Sequence, residues 1–537
     1  MQRSSDFDSA GRERRPGPAA PLLILFCLAL GLRLIRLFDL DLNFDEVVLL
    51  FRSQDSWVDI WNNCKTDNYA PLYPWLIKFW MLFGSGDQWY RLFGALAGSL
   101  TPPAAYLLGR EIGGRKMAWL VGAATVLSPS LIFYSQFVRM FNVQTALVCL
   151  SLAAFFRALR TDSTGSWLLV MVFNLIGFFV YYFMLLLVLA EFLILIYDRR
   201  RRWKTYIRPL SAQIPFVVGV LFWLIPAYQR YSQIASAGFW IVPPNFRESV
   251  KVWLVLGTGA DFRDRYLLAG LANLPFLAGV IAAIALPPRD RQVSRTAFVT
   301  LFILGIIGLQ SAFGTSFWHS RYVLFLLPLY LLLALSGWLR LGNPLWRRAG
   351  ISIIFLILVC SLAYYYVDYY KVHEYYAFLR PLPAAEPGEG HALSITDREI
   401  AERFQGDEVI IHFSDGVVRV CSYFASLHYH QRQLPEYIYA HEGLSQYNGL
   451  QYLRPGEWIA SLKDLPSLPG GIWLVTLSFS EGLLSDYPPR WVRDGNLPEE
   501  MRSAGYRRLE TFQRGNVTVN HFRRLEITTD QKPNIRQ

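Results

Sequence analysis

Charge is scarce in this 537-residue sequence: only 17% of its residues are Asp, Glu, Lys or Arg, against about 25% in soluble globular domains. That shortage excludes a purely soluble enzyme and points to lipid as part of the solvent. Disorder is excluded as well, because 53% of the residues are hydrophobic and 15% aromatic. Cysteine is sparse. The five (Cys27, Cys64, Cys149, Cys360, Cys421) are scattered without a CxxC, which excludes a disulfide scaffold and a zinc ribbon. No GxGxxG dinucleotide loop is present, and Gly257-Thr258-Gly259 is only a loop fragment. Solenoid periods and transporter-like inverted repeats are also missing.

What remains is apolar sequence diluted by something soluble, since the mean hydropathy is a modest +0.26. Spanning helices need about 20 apolar residues. Segments of this kind lie at 21–38, 91–109, 118–136, 142–159, 167–182, 183–198, 213–230, 266–286, 296–312, 322–339 and 350–367, roughly eleven spans in all. The run 167–198 is too long for one span, and Tyr181-Tyr182-Phe183 marks its bend. Ahead of the first span, residues 1–20 are polar and read as a disordered cytoplasmic tail. No A-x-A cleavage site follows the first apolar run, so it reads as a retained anchor.

Lys and Arg outnumber Asp and Glu 52 to 41, a net charge of +11. In a membrane chain such an excess marks cytoplasmic loops and not nucleic acid. Basic clusters at Arg12/Arg14/Arg15, Arg110/Arg115/Lys116, Arg157/Arg160, Arg199–Arg202, Arg289/Arg291/Arg295 and Arg340/Arg347/Arg348 all fall on one side of the predicted spans. The N-terminus is therefore expected inside and the C-terminus outside. This gives a polytopic α-helical membrane domain, 21–367, and an extracytoplasmic soluble α/β domain, 368–537. In the latter, DEVIIHF, VVRVCSYF and GGIWLVTLSF read as β-like runs, and MRSAGYRRLETF with VTVNHFRRLEI as a helix or turn feeding a closing strand pair.

The first extracytoplasmic loop, 39–90, carries Asp45-Glu46 ahead of an amphipathic run, then the short apolar stretch APLYPWLIKFWMLFG, which suits an interfacial or re-entrant helix. A carboxylate held at the membrane surface can deprotonate a hydroxyl or amine acceptor. A helix N-cap at Asp45 with a first-turn acid at Glu46 is the structural alternative. Tyr134, Gln136 and Arg139 follow the third span, and His319 and Arg321 precede the tenth, all on the same face. One acid with cations from two other loops suits a reaction in which a phosphate leaves; isolated snorkelling is the alternative for each arginine.

LRLIRLFDLDLNFDE, DNYAPLYPWLIKFWMLFG and RLFGALAGSLTPPAAYLLGREIGGRKMAWLVGAATVLSPSLIFYSQFVRMF, with HSRYVLFLLPLY later, together resemble glycosyltransferase family 39 of the GT-C membrane enzymes. That family includes protein O-mannosyltransferases and the lipid A aminoarabinose transferase. The resemblance covers about 20–200 in order. It implies a polyprenyl-phosphate-linked sugar donor, inversion at the anomeric carbon, and Asp45 as the general base with Glu46 orienting it. It further implies that Arg139 and Arg321, with His319 and Lys65, hold the donor phosphate, and that Asn68, Tyr69, Tyr134 and Gln136 line the substrate. Asn142 and Gln144 stand where some relatives carry a second acid, so no cofactor is named and a divalent metal is left open without assigned ligands. The implied partners are the lipid-linked donor, membrane lipids and a lipid, glycan or protein acceptor.

Weaker signals are Glu191, read as part of a local ion pair near the Arg199–Arg202 cluster; Arg33, read as a snorkelling cation; and His428-Tyr429-His430, with His412 and His441 near in sequence. The tail tryptophans Trp458, Trp473 and Trp491 read as core before glycan platform. A transporter or flippase, and a non-catalytic assembly protein of the same fold, are the rival functions. With no ER-retention tail and a soluble tail like those of bacterial relatives, a bacterial inner membrane is the expected location, with the site facing the periplasm or exterior.

Overall fold

The computed structural model describes residues 19–39, 41–65, 69–197, 206–237, 241, 243–259, 266–287, 290–367, 392–413, 418–440, 453–477, 497–514 and 517–525. The 1–20 tail up to residue 18, Asn68, the Arg199–Arg202 cluster, His441 and Trp491 lie outside them. The chain divides into two compact units. One comprises Met1–Ile35, Asn68–Ala70 and Leu92–Val367, the other Arg36–Asp67, Pro71–Arg91 and Asp368–Gln537.

The first unit is helical. Six described helices are long and apolar enough to cross a membrane: Asp87–Leu127, Phe141–Thr161, Leu267–Ala285, Arg291–Phe313, Ser320–Leu339 and Pro344–Val367. Shorter apolar helices are Ala19–Leu34, Thr164–Val180, Met184–Tyr197 and Ile214–Trp223. The chain therefore has the makings of an integral membrane protein. The 167–198 run does break at 181–183, between Val180 and Met184.

Asp87–Leu127 holds two of the apolar segments because it is folded back on itself. Gly114 has φ +69°, a left-handed conformation that suits a residue without Cβ. A Cβ placed on Gly109 would lie 3.0 Å from Ala118 Cα, whereas nine residues of straight helix span about 13 Å. The turn between the two limbs carries Arg110, Arg115 and Lys116, one of the basic loops. Elsewhere small residues let backbones touch: a Cβ on Gly337 would sit 1.7 Å from the Gly279 carbonyl oxygen, so helices Tyr266–Ala285 and Leu327–Leu339 cross in direct contact.

Buried polar side chains stitch the helices together. Ser151 Oγ donates to Glu191 Oε1 at 3.0 Å and Asn174 Nδ2 to Glu191 Oε2 at 2.9 Å, joining three successive helices. Glu191 is thus a hydrogen-bonded fastener, while the Arg199–Arg202 cluster with which the sequence reading paired it lies outside the described residues. Arg33, too, does not snorkel. It is fully buried, its Nε donating to Ser135 Oγ at 2.8 Å, because the hydroxyl gives the guanidinium a partner inside.

The second unit contains, among the described residues, a six-stranded sheet: β1 (Glu408–His412), β2 (Glu436–Tyr439), β3 (Trp458–Ile459), β4 (Gly471–Leu477), β5 (Tyr506–Arg514) and β6 (Val517–Arg524). Their order is β3-β2-β1-β4-β6-β5. The first four are mutually parallel, and β6 pairs antiparallel with β4 and β5. The run VVRVCSYF, expected as a strand, lies instead, from Val418 onward, in the helix Val418–Tyr429. The parallel pairing of β1 with β2 requires a crossover there, and Tyr423, Phe424, Ala425 and Leu427 of that helix are buried, Ala425 in the core of one sheet face and Phe424 against Phe51. One sheet face packs Ile410, Trp473, Val475, Val517 and Val519; the other packs Ile411, Tyr439, Ile472 and Leu474. Three short helices from the first loop, Phe44–Gln54, Trp57–Lys65 and Leu72–Met81, belong to this unit.

Candidate active site

Asp45 and Glu46 open the helix Phe44–Gln54, and the two acids have different duties. Asn43, not Asp45, is the N-cap. Its side chain accepts from Glu46 N at 3.0 Å, while Glu46 Oε2 accepts from Asn43 N at 3.0 Å, a complete capping box. Glu46 is fully buried, and its Oε2 also meets Arg91 Nη2 at 3.2 Å. Arg91 Nη2 reaches Asp41 O at 2.7 Å, so this pair fastens the start of the loop to its end. Glu46 is therefore committed to structure; Asp45, one position earlier, is half-buried on the same first turn.

Lys65 ends the helix Trp57–Lys65. Its Nζ donates to Asn62 Oδ1 at 3.1 Å and lies 5.8 Å from the Trp61 ring centroid. Asp87, at the far end of the loop, accepts from His428 Nε2 at 2.7 Å and from Tyr429 OH at 3.3 Å. Burial pushes its carboxyl up, yet the hydrogen bond and charge of His428, with Arg91 beyond, outweigh that and hold it below the ordinary value.

The predicted phosphate cations come together in the first unit. Arg139 donates to the Tyr69 hydroxyl and lies 5.6 Å from the Phe141 ring centroid. Phe141 in turn is edge-on to Tyr322 at 6.3 Å, and Arg321 sits 5.0 Å from the Tyr322 ring with Nη2 donating to its hydroxyl at 3.2 Å. Tyr181 feels both arginines and Tyr69 electrostatically and stacks on Tyr322. Two nearly buried guanidiniums thus share one aromatic wall, a surrounding that strengthens their attraction for an anion by excluding water. Tyr69 is itself held, its carbonyl accepting from Tyr182 OH at 2.9 Å and Tyr182 from Trp223 Nε1 at 2.7 Å.

His319 lies beside Arg321 but does not add a charge. Burial, then the Arg321 and Lys251 cations, push its imidazole down to about 3, so it is neutral at pH 7. Its Nδ1 caps the following helix by accepting from Arg321 N at 3.3 Å. Tyr134 OH is 3.3 Å from Ser320 Oγ, which ties the short helix Pro129–Ser135 to this segment. Gln136, expected to line substrate, is consumed by structure. Its Nε2 donates to Arg33 O and Ile35 O at 3.0 and 2.8 Å, and Tyr365 OH donates to its Oε1 at 2.6 Å. Asn142 and Gln144 are both buried.

The tail histidines separate. His428 serves Asp87, while His412 Nε2 and His430 Nδ1 converge on the two oxygens of Glu436 at 3.3 and 2.7 Å. Among the described residues no group of three His, Cys, Asp or Glu is disposed to hold a metal ion. Trp473 is buried and stacked on His521 at 3.8 Å, a core residue. Sequence reading missed Arg91, Asp41 and Asp87; a cation at the very start of an apolar segment was the available signal for the first.

The chain has the fold of solved membrane glycosyl-transfer proteins, among them ArnT and an arabinofuranosyltransferase. Residues 68–226 match the family model of dolichyl-phosphate-mannose-protein mannosyltransferases. The chain resembles ArnT from Cupriavidus metallidurans in the apo state, at 13% identity over 94% of this chain and 98% of that one, with a TM-score of 0.57. ArnT from the same organism bound to undecaprenyl phosphate gives 14% identity over 94% and 98%, with a TM-score of 0.54. A mycobacterial arabinofuranosyltransferase, AftD, gives 14% identity over 94% of this chain and 41% of that one, with a TM-score of 0.50. At these identities the likeness is one of fold. A comparison with curated proteins finds no match.

Proposed function

We propose that this chain is a glycosyltransferase that moves a sugar from a polyprenyl-phosphate carrier to an extracytoplasmic acceptor. The observation that carries the reading is the division of labour at Asp45-Glu46: a capping box and Arg91 hold Glu46 rigid, so Asp45 is presented on a fixed first turn. A preoriented carboxylate is what a general base requires. Asp45 takes the acceptor proton, the acceptor oxygen or nitrogen attacks the anomeric carbon with inversion, and the carrier phosphate leaves. Arg139 and Arg321 neutralise the charge that grows on that phosphate, and their guanidinium forks suit its oxygens. Lys65 supplies a further cation; neutral His319 offers at most a hydrogen bond. Tyr69 and Tyr134 place hydroxyls in the first unit for substrate contact.

The arrangement follows the sequence reading: a cytoplasmic tail at 1–20, a membrane domain at 21–367 with about eleven spans, N-terminus inside, and an extracytoplasmic domain at 368–537. The active site then faces the periplasm or exterior of a bacterial inner membrane. The undecaprenyl phosphate bound to a protein of the same fold supports a lipid carrier of this kind. Replacing Asp45 by Asn keeps shape and removes the base. Sugar transfer from a radiolabelled undecaprenyl-phosphate donor pool should fall by about 10²–10⁴ in D45N; transfer equal to wild type would show the base to be elsewhere.

A further inference from the structure

The helices Trp57–Lys65 and Leu72–Met81 of the second unit each bury one apolar face and leave another open. In the first, Ile60 and Cys64 are buried, while Trp57 is exposed and Val58 is 66% exposed. In the second, Tyr73, Pro74 and Ile77 are buried, yet Phe79 is exposed, as are Leu82 and Phe83 just past its end, Leu82 at 68%. Val47, Val48, Leu49 and Leu50, the apolar run after Glu46, are by contrast buried. A helix apolar on two faces needs a cover for both, and so large an exposed patch marks a contact surface.

The two open faces meet. Trp61 stacks on Trp75 with ring centroids 5.6 Å apart, and Trp57 stands edge-on to the same ring at 6.2 Å. Trp75 Nε1 donates to Trp57 O at 3.1 Å, so its polar atom is satisfied between the helices. Trp57, Val58, Trp61 and Trp75 line a shallow hollow of about 280 Å³. Lys65 Nζ lies 5.8 Å from the Trp61 ring centroid and Lys78 Nζ 5.6 Å from that of Trp57. Tryptophan rings with lysine stems beside them are the composition of a membrane–water interface.

The place of this patch along the chain identifies its cover. Asn68–Ala70, between the two helices, and the chain from Leu92 onward belong to the helical unit, and a linker reaches at most about 3.6 Å per residue. The far end of Leu72–Met81 is clamped as well. Trp80 and Trp89 stack at 4.5 Å, Trp80 Nε1 donating to Trp89 O at 2.8 Å and Trp89 Nε1 to Trp80 O at 3.1 Å. Trp89 lies on the opening turn of Asp87–Leu127, a helix long and apolar enough to cross a membrane. The open apolar face is thus pinned beside the head of a membrane-crossing helix.

We infer that this two-helix surface docks on the phospholipid bilayer, with its tryptophans at headgroup level and Val58, Phe79, Leu82 and Phe83 among the upper acyl carbons. Because their other faces are packed within the unit, the helices rest on the bilayer and do not dip through it. Asp55 and Asp59 offset Lys65 and Lys78, so a zwitterionic headgroup suffices.

The test is photocrosslinking of the full-length protein in phosphatidylcholine vesicles, with p-benzoylphenylalanine at Val58 or Phe83 and, for reference, at Leu509, which is 62% exposed on β5. Lipid adducts are counted by mass spectrometry. Val58 and Phe83 should carry about tenfold more phospholipid than Leu509, the preference that one large apolar side chain gains by leaving water. Leu82→Glu sets a charge in the patch at an exposed position and should lower the Phe83 yield by about the same factor. Yields at Val58 and Phe83 no higher than at Leu509, crosslinks to a second copy of the chain in place of lipid, or a Phe83 yield unchanged by Leu82→Glu would each overturn the assignment. Lipid contact is read without turnover, so an active D45N would remove the catalytic reading and leave this one standing.

Discussion

Replacing Glu46 should unfasten the loop that carries Asp45, and the structure sets the size of the effect. In Glu46→Ala the capping box loses its N3 acceptor, about 1 kcal/mol, and Arg91 is left buried with its carboxylate partner gone, about 3–5 kcal/mol. Glu46 and Arg91 are 0% and 2% exposed, so solvent screening does little to reduce the second figure. The sum is about 4–6 kcal/mol. At about 2–4 °C per kcal/mol for a domain of this size, the second unit should melt roughly 8–24 °C lower. Glu46→Gln keeps the capping acceptor, because Gln serves at N3 as Glu does, and loses only the charge, so its deficit should be smaller by about half. The assay is intrinsic-fluorescence melting of the full chain in detergent at one scan rate, beside donor turnover. E46A should lose stability and activity together; D45N should lose activity at an unchanged melting point. E46A melting with wild type would refute the claim that Glu46 is a structural acid, and with it the reason for assigning the base to its neighbour.

Arg139→Ala and Arg321→Ala should each weaken binding of undecaprenyl phosphate by about 10–150-fold, the value of a hydrogen-bonded charge at about 1.5–3 kcal/mol; titration of the purified variants with that lipid decides it. The tail should lose stability as pH rises above neutrality. Although burial opposes the charged imidazole, the Glu436 hydrogen bond and charge, with Asp397, raise His430 from 6.5 to about 9, so its contribution is complete below 6.5 and lost through about 9. Burial, then Glu436 and Asp41, raise Asp397 from 3.8 to about 8, so stability falls with pH across that interval too. Melting points measured from pH 6.5 to 9 should decline in wild type and decline less in Asp397→Asn; a flat wild-type profile counts against the pair. Gly337→Leu should fail to give a monodisperse protein on size exclusion, since even a Cβ there falls 1.7 Å from the Gly279 carbonyl oxygen.

Long apolar runs were legible because lipid leaves few options for a backbone: the 167–198 break and the helices around it stand where hydropathy placed them. The convergence of Arg139 and Arg321 was legible as well, because sidedness alone set them on one face. Partner choice was not. Glu46, Arg33, Gln136 and Glu191 are each defined by a group far away in sequence, such as Arg91, Ser135, Tyr365 and Ser151. Val418–Tyr429 was misread for a related reason. Its local pattern fits a strand, and only the parallel pairing of the flanking strands demands a helix there.

The hydrogen bonds from Arg91 to Asp41 and Glu46 close a ring of about fifty residues at its base. Asp45 sits at the neck of that ring, not at its tip. Lengthening a closed loop costs little, about 0.6 kcal/mol for each doubling, and the cost is borne beyond the clasp. The segment between Ser56 and Lys65 can therefore gain or lose residues while the acid keeps its place. A single buried arginine gives this chain room to change what the loop touches without moving Asp45, the acid proposed as the base.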